Sequence, residues 1–140
     1  MKHYGIEITA EIGTDHSYNG ITIDSTAAGE NLAIGDVAYL KSDSLFWKMD
    51  ADAEATTKGM CVMATETINA GTNGTYLLCG FIRDDSWTWT EGAELYVSLT
   101  PGNPTSTRPS VTGDIVRIIG HAYASNIIFF NPDGTYVEIA

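Results

Sequence analysis

Three carboxylates, Asp50, Asp52 and Glu54, stand at spacing two in the stretch "DADAE". On a strand, alternate residues share a face, so three carboxylates at that spacing would converge. Hard cations such as calcium take oxygen ligands of this kind. The stretch has neither the glycine nor the length of an EF-hand loop, and a solvated, charge-rich crossover is the plainer reading. Asp50, Asp52 and Glu54 are therefore weak metal candidates, and no cofactor is expected. Asp84 and Asp85 are adjacent, and neighbours on a strand point to opposite faces. They are expected to end a strand rather than to share a proton. A glycosidase could still recruit either one, because its two carboxylates need not be near in sequence.

The other chemistry-bearing types are scattered. His3, His16 and His121 form no HExxH motif and there is no paired CxxC, so zinc is not expected. The plainer reading of His121, inside "IGHAYA", is a partly buried histidine. Ser and Thr are abundant without a GxSxG elbow. "AGTNG" lies between two apolar runs and reads as a hairpin turn, not a phosphate loop. A small hydrolase built on Asp50, Asp52, Asp84 or Asp85 is the weakest reading, and no enzyme activity is expected. Trp47, Trp87 and Trp89 carry two readings. Exposed aromatics on a β face stack on sugar rings. Alternatively, tryptophans two apart cover a core edge or fill a subunit interface, where Trp is enriched. The second reading is preferred for Trp87 and Trp89.

The elements that must position these groups are strands. The chain has 140 residues, 44% hydrophobic and 18% charged, which suits one globular domain. Fourteen glycines against seven Lys plus Arg point to many turns and few exposed helices. The net charge of −11 argues against binding a nucleic-acid backbone or an anionic membrane surface. It favours self-repulsion or a basic protein partner. The start "MKHYGIEITAEIG" has no signal-peptide apolar region, and no stretch approaches a membrane span. Cys61 and Cys79 are expected to be reduced core residues of a chain made in the cytosol.

Residues 1–20 read as an N-terminal arm or edge strand, with Tyr4, Ile6 and Ile8 as contact residues. From residue 21 the punctuation is regular. "DVAYLK" and "LFWKM" flank residues 42–44 as one hairpin. "GMCVMATETI" and "GTYLLCGFIR" flank "NAGTN" as another, with Gly71 and Asn73 able to take positive φ. "WTWT" alternates like a strand, "AELYVSL" is a strand, and "TPGNPTSTRPSVTG" is a long polar loop. "DIVRIIGHAYA", "NIIFFN" and "TYVEI" complete the chain. Short strands with regular turns predict an all-β fold, a compact sandwich or barrel-like domain over residues 21–140 with little helix. There is also an internal echo. "IGDVAYL" (34–40) matches "EGAELYV" (91–97) at Gly35/Gly92 and Tyr39/Tyr96. "KGMCVMATETI" (58–68) matches "IGHAYASNII" (119–128) at Gly59/Gly120. Two related β halves would explain the echo, and so would chance similarity among β-rich segments.

The stretch "WTWTEGAELYVSLTPGNPTSTRPSVTGDIVRIIGHAYASNIIFFNP" resembles a pattern of small tailed-phage structural proteins. It carries Gly92, the strand Leu95-Tyr96-Val97, Pro101-Gly102, Arg108-Pro109, Gly113-Asp114, Ile119-Gly120-His121-Ala122 and Asn131-Pro132. The preceding "KGMCVMATETINAGTNGTYLLCGFI" fits the same pattern, so the resemblance covers about residues 57–132. It implies a capsid decoration protein, of the cement or head-fibre-base kind. Such a protein sits on the capsid exterior as a homotrimer and binds the major capsid protein. Its action would be passive, bridging neighbouring capsomers after expansion. The chain lacks the long fibre or coiled-coil extension of some such proteins, which favours decoration over a fibre. The alternative is a tail-fibre or receptor-binding β domain that recognises host glycan through Trp87 and Trp89.

Overall fold

A computed structural model of the chain describes residues 7–140. His3, Tyr4 and Ile6 lie outside the described residues. The fold is all-β and barrel-like, one curled antiparallel sheet with a small two-stranded companion. The strands are β1 (Tyr18–Ala27), β2 (Val37–Leu40), β3 (Phe46–Lys48), β4 (Cys61–Ala64), β5 (Asn73–Arg83) and β6 (Glu94–Val97). They continue with β7 (Pro104–Thr105), β8 (Ile115–Val116), β9 (Ile118–Ala124), β10 (Ile127–Phe130) and β11 (Val137–Glu138). Among the described residues the only helical element is a single 3-10 turn, Glu54–Thr56.

Both expected hairpins form. β2 pairs with β3 through Tyr39 opposite Trp47, and β4 pairs with β5 through Met63 opposite Leu77. In the second, Gly71 takes a φ of 81°, whereas Asn73 is already the first residue of β5. Of the arm or edge strand expected at the N-terminus, the described residues before Tyr18 carry no strand, and the strand expected at "WTWT" does not form. β1 begins only at Tyr18. The "WTWT" segment is irregular, because its main chain is claimed piecemeal. Trp87 N–H donates to Asp84 O at 3.1 Å and Trp89 N–H to Ser125 O at 2.9 Å. That leaves no ladder for it to join.

The main sheet runs β3-β2-β4-β5-β10-β9-β6-β7, with β1 also along β5. Read from either end, a hairpin's outer strand is followed by its inner strand, the next strand, and then a strand at the middle. Ile82 of β5 faces Ile128 of β10 across the join. Local turn chemistry repeats on the two sides. Asp36 N–H closes a turn on Ala33 O and Ala93 N–H closes one on Thr90 O. The third residues, Gly35 and Gly92, have φ of 83° and 81°, which suits glycine at this position of a type II turn. Each turn runs straight into a glycine bulge. Gly35 N–H donates to Ala64 O while Ala64 N–H donates to Asp36 O, and Gly92, Ala122 and Ala93 repeat the arrangement. The Gly35/Gly92 and Tyr39/Tyr96 echo falls on these matching places. The Gly59/Gly120 match does not. Gly59 precedes β4 while Gly120 lies inside β9, and Ala64 and Ala122 are the residues in matching positions.

The inner face of the sheet carries the larger core, with Val37, Met63, Leu77, Ile82, Leu95, Ile119, Ile128 and Phe130 among its buried residues. β2 and β4 are buried on both faces, so they read as continuous apolar runs and not as alternating ones. Their outer face holds a second core of Ala38, Phe46, Val62, Ala64 and Tyr76, closed by Ala28, Leu32 and Ile68. The closing segment is strapped down by main-chain bonds. Gly29 N–H donates to Phe46 O, and Leu32 and Ile68 exchange two bonds.

A row of residues crosses the other half of the sheet: Gly20, Gly80, Phe130, Gly120 and Leu95. A Cβ on Gly80 would lie 2.3 Å from Asn19 O, and one on Gly20 would lie 2.3 Å from Cys79 O. The strands approach there too closely for any side chain, and the large Phe130 ring fills the space between glycine neighbours.

Candidate functional site

The sheet's two halves differ in what covers their outer face. On β2 and β4 the chain covers itself. On β5, β9 and β10 the same face is open, and aromatic side chains occupy it. A bulge in β5 sets this up. Ile21 pairs with Cys79 while Thr22 pairs with Leu77, so Leu78 is the extra residue. The bulge shifts the alternation, so Leu77 and Ile82 both face the inner core and Phe81 points outward. A second bulge lies in β9. Ile127 pairs with Ala124 and Ile128 with Ala122, which leaves Tyr123 unpaired and re-aimed. Tyr123 is 57% exposed and meets Phe81 edge-on, with ring centroids 5.2 Å apart. Phe81 also packs on Phe129 at 4.8 Å. His121 and Glu91 complete a shallow groove of about 480 Å³ over this cluster. Aromatic pairs in these tilted and edge-on arrangements form a firm apolar platform with a polar tip at the Tyr hydroxyl.

Trp87 and Trp89 come together, but not as neighbours on one strand face. Their centroids are 6.1 Å apart, and both are half-buried against the inner core. Trp87 lies over the Gly35 turn, where a Cβ would sit 2.7 Å from its ring. Trp89 Nε1 is buried without a hydrogen-bond partner. The pair seals the core edge in this chain. Trp47 lies across Gly29, donates its Nε1 to Asp43 at 3.0 Å and sits under Lys41 Nζ at 4.7 Å.

Asp50, Asp52 and Glu54 do not converge. The segment turns into the 3-10 turn where a strand would have kept three carboxylates on one side. Asp50 accepts the Asp52 N–H at 3.1 Å. Burial, reinforced by the charges of Asp52 and Asp114, pushes its carboxyl above the ordinary aspartate range. Glu54 turns away to Lys58 Nζ at 3.3 Å and to the Tyr136 hydroxyl at 3.1 Å. Asp84 and Asp85 do mark the end of β5, and their carboxylates part company. Asp85 is gripped by Arg83 Nε at 2.7 Å and Nη2 at 3.1 Å. The Arg83 guanidinium and the Asn126 amide hold it below the usual range. Asp84 is buried and turns toward His16, whose Nε2 lies 3.9 Å from it. Ile8 is half-buried.

Sequence reasoning missed the Phe81–Tyr123–Phe129 platform, because strand alternation gives no sign of the bulges that aim Phe81 and Tyr123. The signal that was available is the pair of aromatics in "NIIFF", two where one would fill the core.

No protein-family model matches the chain, and no curated protein matches its sequence.

Proposed function

We propose that this chain is a non-enzymatic virion structural protein, a capsid decoration protein. It binds the outer surface of the major capsid protein as a homotrimer and stabilises the head. The observation that carries the reading is the open aromatic platform of Phe81, Tyr123 and Phe129, on a sheet whose other half is covered by its own chain. Interfaces are enriched in such aromatics at their centre and in polar residues at their rim. Here the rim includes Glu91 and His121. The resemblance over residues 57–132 supports the same reading. A passive cement needs a stiff body and a surface that becomes buried on assembly. Three linked copies would grip a shell with avidity even where each contact is weak.

Light scattering tests it, on the protein alone and mixed with expanded heads stripped of their accessory proteins. The expected result is a trimer that saturates the heads. Tyr123→Ser and Phe129→Ser are each expected to lower occupancy at least tenfold while leaving the far-UV circular dichroism unchanged. A monomer that ignores the heads sinks the reading.

The second reading is a tail-fibre or receptor-binding β domain for host glycan. Tyr123 favours it, because an exposed ring beside two other aromatics can stack on a sugar face. A glycan array separates the two. Sugar binding lost in Tyr123→Ser, with no capsid binding by the parent chain, would establish the second reading at the expense of the first.

A further inference from the structure

We propose that Asp15, His16 and Asp84 form a binding site for one divalent transition-metal ion, with zinc the ion that suits the donors best. The inference is independent of the decoration reading and uses none of its residues.

One donor atom from each residue lies within 4.8 Å of the other two. His16 Nε2 is 3.5 Å from Asp15 Oδ2 and 3.9 Å from Asp84 Oδ2. Zinc bonds of about 2.0–2.1 Å at tetrahedral angles place donors about 3.3 Å apart, so a small inward movement of the side chains would close the set. Each carboxylate has one oxygen already fixed and the other turned to the imidazole. Asp15 Oδ1 accepts the Asp85 N–H at 2.8 Å. Asp84 Oδ1 accepts the Ser86 N–H at 2.9 Å and the Ser86 hydroxyl at 2.6 Å. Outer contacts of this type orient metal ligands.

An independent observation points to a ligand. Asp84 is only 7% exposed, yet its Oδ2 accepts no hydrogen bond from any described residue and is aimed into the cluster. In a side chain buried this far, a carboxylate oxygen left without a donor is a favourable place for a cation. Asp85, next in the chain, is no ligand, because Arg83 and Asn126 engage both its oxygens. Two carboxylates and a neutral imidazole balance a divalent charge. Three ligands are too few for the six to eight oxygens that calcium takes, and the nitrogen donor suits zinc better. The fourth position falls to water.

The main chain holds the donors in place. His16 N–H donates to Arg83 O at 3.0 Å, Arg83 N–H to Ser17 O at 2.9 Å, and Arg83 Nη1 to Ile12 O at 3.0 Å. A bound ion would therefore pin the segment before β1 to the end of β5.

The test uses the full, untagged chain freed of metal by a chelator, titrated with zinc chloride in a calorimeter and melted with and without it. One zinc per chain is expected, with a melting temperature raised by several degrees. Cobalt(II) is expected to give the visible absorption of a tetrahedral site. His16→Asn keeps a residue that tolerates the local backbone, where φ is 63°, and is expected to weaken zinc binding on the order of 100-fold. Asp84→Asn is expected to do the same, whereas His121→Ala leaves binding within about threefold. Should Asp84→Asn fail to fold, the exposed His16 variant still decides. Absence of zinc binding, zinc binding unchanged in His16→Asn, or stabilisation by calcium and magnesium but not zinc would each overturn the proposal.

Discussion

Arg117 is 5% exposed, and its described partners are main-chain carbonyls rather than a carboxylate. Its Nη1 donates to Thr57 O at 2.7 Å and Gly59 O at 2.9 Å, and its Nε donates to Asp133 O at 2.8 Å. One side chain thus ties the crossover before β4 to the turn after β10. Arg117→Ala would strand those carbonyls and is expected to cost about 3 kcal/mol, read from the urea midpoint. Arg117→Lys should recover only part, since an ammonium lacks the planar fork. Cys61 lies near the same guanidinium, but burial dominates and pushes its thiol up to about 12. The native state therefore keeps a proton that the unfolded state releases near the ordinary thiol value. Stability is fully present below about pH 8.5 and is lost as pH rises from there toward 12. Ellman's reagent at pH 8 is expected to label half-buried Cys79 in the native protein and Cys61 only after unfolding. Labelling of both at equal rates would contradict the burial. Little of this residue-level detail was legible in the sequence. Arg117 has partners 58 and 60 residues away, and His16 meets Asp84 only because β1 runs back along β5. Spacing rules read neighbours, and these contacts are not neighbours.

At the scale of elements the sequence was more informative. Apolar runs bounded by Gly, Asn and Asp located both hairpins, and the Gly35/Gly92 echo marked two turns with the same conformation. What misled was alternation without a partner strand, in "WTWT". Period two says which face a residue would take, not whether a neighbouring ladder exists to hold it. The glycines separate two kinds of backbone requirement. At Gly92 nothing lies within 4 Å of an added Cβ, and only the φ of 81° objects. Gly92→Ala should cost about 1 kcal/mol. At Gly80 the Cβ meets the opposite main chain, so Gly80→Ala should cost more than about 3 kcal/mol. Chemical denaturation of the two variants side by side checks the ranking. Equal costs would mean that β1 and β5 can separate without penalty.

For the whole molecule, stability should fall off from the middle of the sheet outward. β5 is paired along its length, with β1 on one edge and β4 and β10 sharing the other. β8 and β11 share a two-residue ladder. Native-state hydrogen exchange should be slowest at Leu77 and Ile82 and fastest at Val137, with the first two approaching the global unfolding limit. The pairing of Tyr18 with Ile82 also predicts folding in milliseconds to seconds, since long loops must close before the sheet gains anything. The fold class was legible from strand spacing, while the open outer face was not. That face exists because one stretch, residues 28–32, covers half of the sheet and no described segment does the same for the other half.

The glycine row crossing β1, β5, β10, β9 and β6 has a mechanical meaning. Side chains packed side by side on the faces of a sheet stiffen it against bending, and three of the five residues in that row have none. It is a crease. A load pressed onto the aromatic platform would flex the sheet along this line, as a sheet of card flexes along a score, and the hydrogen-bonded ladders on either side would move as stiff plates. The sheet would take small changes in its own curvature without breaking a ladder bond.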